Sequence, residues 1–202
     1  MPDVYQVLVD DLPMADIVKQ VPDMPNLYCA PPPPSTWLGA EIELVSLVAR
    51  EARLRRALAA YDSMDFDYII IDCPPSLGLL TVNALVAADE VMIPIQCEYY
   101  ALEGLGQLLR NVDLIKVHLN PTLRLSTIVL TMYDGRTRLA SQVAEEVRAH
   151  FGDTVLNTLI PRSVRLSEAP SYGQSVMTYD PGSSGAMAYM DAAREIAHRA
   201  LV

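Results

Sequence analysis

Tyr68-Ile-Ile-Ile-Asp-Cys-Pro-Pro-Ser-Leu-Gly78 is the stretch that decides the fold. A run of β-branched residues ending in an aspartate predicts a strand over residues 68–72, buried on both faces as in a parallel sheet. Such a strand carries Asp72 to the C-terminal edge of the sheet, where open α/β sheets bind their ligands. Pro74, Pro75 and Gly78 then shape a turn before the next helix. An aspartate that merely caps that helix is the plainer reading of Asp72. The buried strand in front of it and the Pro-Pro pair behind it favour a metal-holding role.

An aspartate so placed holds Mg²⁺, directly or through water, in enzymes that cleave nucleoside triphosphates, and the loop after it senses the terminal phosphate. That chemistry also requires a phosphate cradle, a Gly-rich loop ending in Gly-Lys-Ser/Thr. The only lysines are Lys19, in Val-Lys-Gln, and Lys116, in Ile-Lys-Val. Neither follows a glycine. The sequence thus carries the metal half of the site and lacks the phosphate half.

Outward from this strand the chain takes up a regular beat. Strands are predicted over residues 68–72, 90–95, 125–131 and 155–160, with helical stretches at 79–87, 102–119 and 138–151 and a last helix at 185–201. The alternation predicts a mostly parallel sheet with helices on both faces. Upstream, residues 40–61 read as one amphipathic helix, with Ile42, Val45, Ala52, Leu54 and Leu58 opposite Arg50, Arg53 and Arg56. Residues 1–38 are the least regular, with a short helix expected at 12–21 and a short strand at 26–30. Pro31-Pro-Pro-Pro34 forces an extended connection after them. A single domain over residues 1–202 is expected, since 51% hydrophobic content supports one good-sized core.

Composition narrows the function. The longest apolar runs fall far short of a membrane span, and the start Met1-Pro-Asp-Val is unlike a signal peptide. Cys29, Cys73 and Cys97 form no CxxC, which argues against zinc and disulfides and for a reducing cytoplasm. His118, His150 and His198 are scattered at expected helix ends, in solvated or capping places. A net charge of -10 excludes a protein that coats nucleic acid with its whole surface. A local basic patch is still compatible, because Arg136, Arg138, Arg148, Arg162 and Arg165 cluster in sequence.

Five stretches in order carry a family resemblance: Gly39-Ala-Glu-Ile-Glu-Leu, Ile71-Asp-Cys-Pro-Pro-Ser-Leu-Gly78, Ile93-Pro-Ile-Gln-Cys-Glu-Tyr-Tyr-Ala-Leu-Glu-Gly104, Leu130-Thr-Met-Tyr-Asp-Gly-Arg-Thr137 and Ile160-Pro-Arg-Ser-Val-Arg-Leu-Ser-Glu-Ala-Pro-Ser171. Over residues 39–202 the chain resembles ParA/Soj-type chromosome- and plasmid-partitioning ATPases, a deviant-Walker group that includes the division-site protein MinD. The resemblance implies a P-loop NTPase-like α/β fold with ATP and Mg²⁺ as cofactors. It makes Asp72 the Walker B carboxylate and places Pro74, Pro75 and Gly78 in a switch loop. It sets Thr131 and Met132, and Pro161 and Arg162, beside the adenine. Without the family, core packing for Met132 and strand termination for Pro161 are equally good readings. Arg136 and Arg165 match surface arginines used for sequence-independent DNA binding, a task that suits guanidinium groups. Tyr99 and Tyr100 either face a partner subunit or pack in the core.

The family pattern also has elements ahead of this region that no stretch of the sequence matches. These are the P-loop with its lysines, the strand that carries it beside the Walker B strand, and a switch-I aspartate. Two functions stay open. One is a partition ATPase that forms an ATP-dependent homodimer, binds nucleoid DNA in the cytoplasm and answers to a ParB-type centromere-binding partner, with these residues inactive alone. The other is a non-enzymatic DNA- or partner-binding remnant of such a protein. A dinucleotide enzyme is disfavoured, because no G-x-G-x-x-G follows a strand.

Overall fold

The structure, a computed structural model, describes residues 2–22, 24–31, 37–61, 66–74, 78–99 and 101–200, with backbone only at 37–40 and 101–103. Pro75 and Tyr100 lie outside the described residues. The chain divides into two compact units, Met1–Asp89 with Asn111–Leu123, and Glu90–Arg110 with Arg124–Val202.

The first unit is mainly helical: α1 (Val4–Val9), α2 (Trp37–Val45), α3 (Arg53–Ala59) and α4 (Leu79–Ala87), with a two-stranded ribbon of β1 (Lys19–Gln20) and β2 (Tyr28–Cys29). Its core gathers Val7, Leu8, Ile17, Leu44, Leu54 and Leu80. The sequence places a helix at 12–21, but the helix forms earlier. Asp3 starts α1 with a capping box, accepting from Tyr5 N at 2.8 Å while Gln6 Oε1 accepts from Asp3 N at 2.9 Å. Pro13 then limits the expected helix to one 3₁₀ turn at Met14–Asp16. Arg53, only 7% exposed, closes the far end of α1 by donating to the Leu8 and Val9 carbonyls and pairing with Asp11 at 2.7 Å.

The helix expected over residues 40–61 is broken into α2 and α3, and the cause is a side chain far away in sequence. In a continuous helix the Arg50 carbonyl would accept from Leu54 N. Here the fully buried Asn83, on α4, stands between them: its Nδ2 donates to Arg50 O at 2.7 Å and its Oδ1 accepts from Leu54 N at 3.2 Å. The same Nδ2 donates to Leu79 O at 2.9 Å within α4. Ala49 takes a left-handed φ of 51° at the break. Asn120 does a similar job at the other end of α4, donating to Leu85 O at 2.9 Å and Ala88 O at 2.7 Å.

Residues 68–72 differ from expectation. They form no strand, and Tyr68, Ile69 and Ile70 are 55%, 58% and 78% exposed. No segment among the described residues offers them a ladder, so their peptide groups gain nothing by extending into a strand. Ile71 alone packs partly against the core of this unit.

The second unit is an α/β sandwich. Strands β3 (Glu90–Gln96), β4 (Arg124–Tyr133) and β5 (Val155–Pro161) form a parallel sheet in the order β3-β4-β5. Helix α5 (Ala101–His118), whose first part belongs to this unit, and α6 (Arg138–Phe151) link them. Alternation along β4 separates the faces. Ile128 and Leu130 join Ile93, Ile95, Leu105, Val143 and Val147 on one side. Val129 joins Leu156, Ile160 and Ala192 on the other, under the last helix. After β5 come α7 (Val164–Glu168), α8 (Val176–Tyr179) and α9 (Ser184–Arg199). Helices α6 and α9 start at the hydroxyls of Thr137 and Ser183, each accepting a backbone N–H at 3.3 Å.

Glu195 ties α9 to β5. It accepts from Asn157 N at 2.8 Å, Thr158 N at 3.0 Å, Thr158 Oγ1 at 2.8 Å and Arg199 at 2.7 Å. Burial pushes its carboxyl up, and these donors more than offset that, holding it down at about 2. On the outer side of the sheet, β3 has no neighbour among the described residues. Cys97 N donates inward to Thr131 O at 3.0 Å, so by alternation Pro94 turns its nitrogen outward.

Replacing Asn83 by Ala leaves Leu54 N and Arg50 O without a partner at the break, each costing about 1–3 kcal/mol when unpaired. Some relaxation is expected, so urea denaturation of Asn83→Ala should show a loss of roughly 2–4 kcal/mol. A loss below about 1 kcal/mol would mean that the break between α2 and α3 closes without it.

The exposed Ile69 and Ile70 predict self-association of the 202-residue chain at micromolar concentration. Ile70→Lys is expected to lower the association seen by sedimentation velocity and leave the unfolding midpoint nearly unchanged. Equal association in the variant would place the sticky surface elsewhere.

Candidate functional site

The C-terminal ends of β3, β4 and β5 meet at an open cleft of about 960 Å³ in the second unit. Its walls are apolar, supplied by Ile93, Ile95, Leu105, Leu108 and Met132, and its polar rim holds Glu98, Asp134, Arg136 and Arg162. Convergent polar groups over an apolar floor are what a small-molecule site needs.

Thr131 sits inside the ladder: its Oγ1 donates to Ile95 O at 3.2 Å. The next residue, Met132, takes φ 53°, a left-handed backbone that non-glycine residues seldom adopt. Strain of this kind persists where the surroundings fix it, and it gathers at functional sites. The strained residue here lines the cleft. Past Pro161, the last residue of β5, Arg162 N donates to Tyr133 O at 3.0 Å and extends the ladder by one step. The Arg162 guanidinium reaches across to Glu98 Oε1 at 2.6 Å, joining the loops after β3 and β5.

Arg136 grips Asp134 with both edges of its fork, Nε to Oδ1 at 2.9 Å and Nη2 to Oδ2 at 2.8 Å. That side-chain hydrogen bond, with the one from Arg136 N, holds the Asp134 carboxyl down at about 2. Even so, 89% of the Arg136 side chain remains exposed. Arg165 lies on α7 and is paired with Glu168 at 2.9 Å and Asp180 at 3.2 Å.

Asp72 and Pro74 belong to the first unit. Asp72 is exposed and carries no hydrogen bond or ion pair among the described residues. Burial raises the pKa of the neighbouring Cys73 thiol, and the Asp72 charge adds to the rise. Pro74 O accepts from Thr81 Oγ1 at 3.5 Å. Gly78 opens α4 under close contact, because a Cβ there would lie 1.9 Å from Glu41 Oε1, an oxygen buried without a partner among the described residues.

A free, exposed carboxylate suits Mg²⁺, which takes one or two protein carboxylates and completes its shell with water and phosphate oxygens. Among the described residues no cluster of three or more His, Cys, Asp or Glu side chains forms a metal cage of its own. Asp72 therefore fits the metal end of a nucleotide site. Met132 and Arg162, which line the cleft, are placed to meet a small-molecule ligand, and Thr131 precedes them inside the ladder. The phosphate end has no matching residues in the sequence.

Glu98, Asp134, Glu168 and Asp180 are the site residues that sequence reasoning passed over. One signal was available: Asp134-Gly-Arg136 is the spacing of a side-chain-stabilised turn. Glu98 and Asp180, which pair with Arg162 and Arg165, come from distant segments and left no local trace, whereas Glu168 stands three residues after Arg165 in the same helix.

The sequence profile of a family described as "AAA domain" matches residues 1–125. The sporulation initiation inhibitor protein Soj of Bacillus subtilis is 56% identical over 194 residues, 96% of this chain and 76% of Soj. The chain belongs to the Soj/ParA family. The chromosome partitioning protein ParA of Myxococcus xanthus is 49% identical over 196 residues, 97% of this chain and 68% of that protein. Among solved structures, cobyrinic acid a,c-diamide synthase from Mycobacterium smegmatis with bound ADP and magnesium superposes with a TM-score of 0.76 at 35% identity, covering 94% of this chain and 69% of that one. The cell division ATPase MinD of Pyrococcus furiosus, at 23% identity, shares the fold with a TM-score of 0.74 over 98% of this chain and 76% of its own. The α/β architecture of this Soj/ParA chain is thus the P-loop NTPase fold. No described helix is long and apolar enough to cross a membrane.

Proposed function

We propose that this chain serves DNA segregation as part of an ATP-dependent partition protein. ATP and Mg²⁺ promote homodimerisation, the dimer binds nucleoid DNA in the cytoplasm without reading sequence, and a ParB-type partner stimulates hydrolysis. Asp72 carries the metal, Pro74 and Pro75 belong to the switch loop, and Thr131, Met132, Pro161 and Arg162 border the base. Arg136 and Arg165 contact DNA phosphates. One observation carries the reading: strained Met132 and Arg162 line one cleft at the strands' C-terminal ends. Identity of 56% to Soj supports it.

A second reading is a binding module that works without nucleotide. It is supported by the exposure of Tyr68, Ile69 and Ile70, which leaves Asp72 without a strand to hold it. The nucleotide test comes first. The 202-residue chain alone is expected to show no micromolar, Mg²⁺-dependent affinity for a labelled ATP analogue, because Asp72 without backbone donors and a lysine cannot hold a triphosphate. Micromolar binding would reveal a phosphate site of another kind.

The DNA reading makes its own prediction. Arg136→Ala and Arg165→Ala should weaken binding equally across unrelated duplexes, and each should flatten the slope of log K against log salt by roughly one unit. A double variant with unchanged affinity, measured by fluorescence anisotropy, would refute the assignment.

A further inference from the structure

Arg165 does not meet solvent as a bare cation. Two carboxylates take different corners of its guanidinium: Nη1 donates to Glu168 Oε2 at 2.9 Å, and Nε lies 3.2 Å from Asp180 Oδ2. Glu168 lies one turn on along α7, whereas Asp180 caps the C-terminus of α8. Tyr179 supports the arrangement, its hydroxyl 3.4 Å from the same Glu168 oxygen and its ring stacked on Tyr172 at 5.1 Å. The hydrogen bond and charge of Glu168, with the charges of Tyr179 and Asp180, raise the Arg165 pKa further above its ordinary value. One guanidinium therefore faces two carboxylates, and the local charge is negative where a phosphate contact needs it positive.

We propose that Glu168 and Asp180 form a counter-charge clamp that holds Arg165 away from DNA phosphates and sets the affinity of this surface. The inference rests on the reading of Arg165 as a DNA contact. Phosphate competes for the same donors, so the backbone must displace at least one carboxylate before Arg165 contributes. Exposed ion pairs are weak enough to yield, and the clamp is therefore a brake on binding that DNA can release. Because it ties α7 to the end of α8, the strength of the brake follows the position of the α8 C-terminus. Arg136 differs: among the described residues its one carboxylate partner is Asp134, in its own turn.

The test is a mutant cycle in a version with a phosphate-binding loop restored ahead of these residues, held as the ATP–Mg²⁺ dimer on a mixed-sequence duplex, with anisotropy read across a salt series. Glu168→Gln with Asp180→Asn is expected to tighten binding roughly three- to fivefold at about 50 mM salt, with a steeper salt slope. In an Arg165→Ala background the gain should vanish. Asp191→Asn, which frees the exposed Arg194 on α9, serves as the control and should change little. A gain of equal size without Arg165, or in the control, would reduce the effect to overall charge and overturn the clamp. If Arg165→Ala weakens binding but the carboxylate variants give no gain, the clamp alone falls. If Arg165→Ala changes nothing, the DNA-contact reading falls and the clamp falls with it.

Discussion

Backbone groups taken out of water must find partners, and much of this structure follows from where they find them. In the sheet of the second unit, β4 is paired on both sides and buried on both faces. In the first unit the partners are often side chains. Asn83 replaces the bond between Arg50 and Leu54, Arg53 closes α1, and Asn120 closes α4. Each of these is a single polar residue held among apolar ones, so each fixes one arrangement of helices against the alternatives. Residues 68–70 show the converse: the most strand-like sequence in the chain stays in solvent, because side-chain preference cannot stand in for a neighbouring strand.

The same residues explain why the candidate site is divided. Strand ends hold Thr131 and Arg162 through the ladder itself, both bonded across it. Asp72 depends on a strand that is not formed. The residues of the second unit are consequently fixed by the sheet, and Asp72 in the first unit has no strand to hold it. Exposed arginines are balanced by pairing: Arg136 and Arg162 at the rim, and Arg165 on α7, each meet a carboxylate. A chain of net charge -10 can keep several exposed guanidinium groups in this way without a strongly positive face.

Much of the fold was legible because its signals are local. The bounds of α4 and α6 follow from apolar periodicity and their starting residues, and β3, β4 and β5 fall within two residues of expectation. The break between α2 and α3 was not legible, since Asn83 lies thirty residues downstream and looks like an ordinary helix position. The exposure of residues 68–70 was hidden for a related reason, as apolar patterning records what a segment can bury and not whether a partner is present. At the candidate site, the family resemblance singled out Thr131, Met132, Arg136 and Arg162, of which Met132, Arg136 and Arg162 line the cleft. Left-handed φ at Met132, and the pairing of Arg162 with Glu98 and of Arg165 with Asp180, depend on segments meeting in space.

Pro94 gives the open side of β3 a further property. A strand laid against that side would find no donor at the middle step, because the proline nitrogen points outward and carries no hydrogen. The vacancy works as a filter. Any segment of suitable length and hydrophobicity can shield the apolar edge, but only one that spares its own carbonyl at that step keeps every bond. Arbitrary sticky strands are thereby ranked below a matched one, and the gap in the ladder becomes a form of selectivity written by a single missing proton.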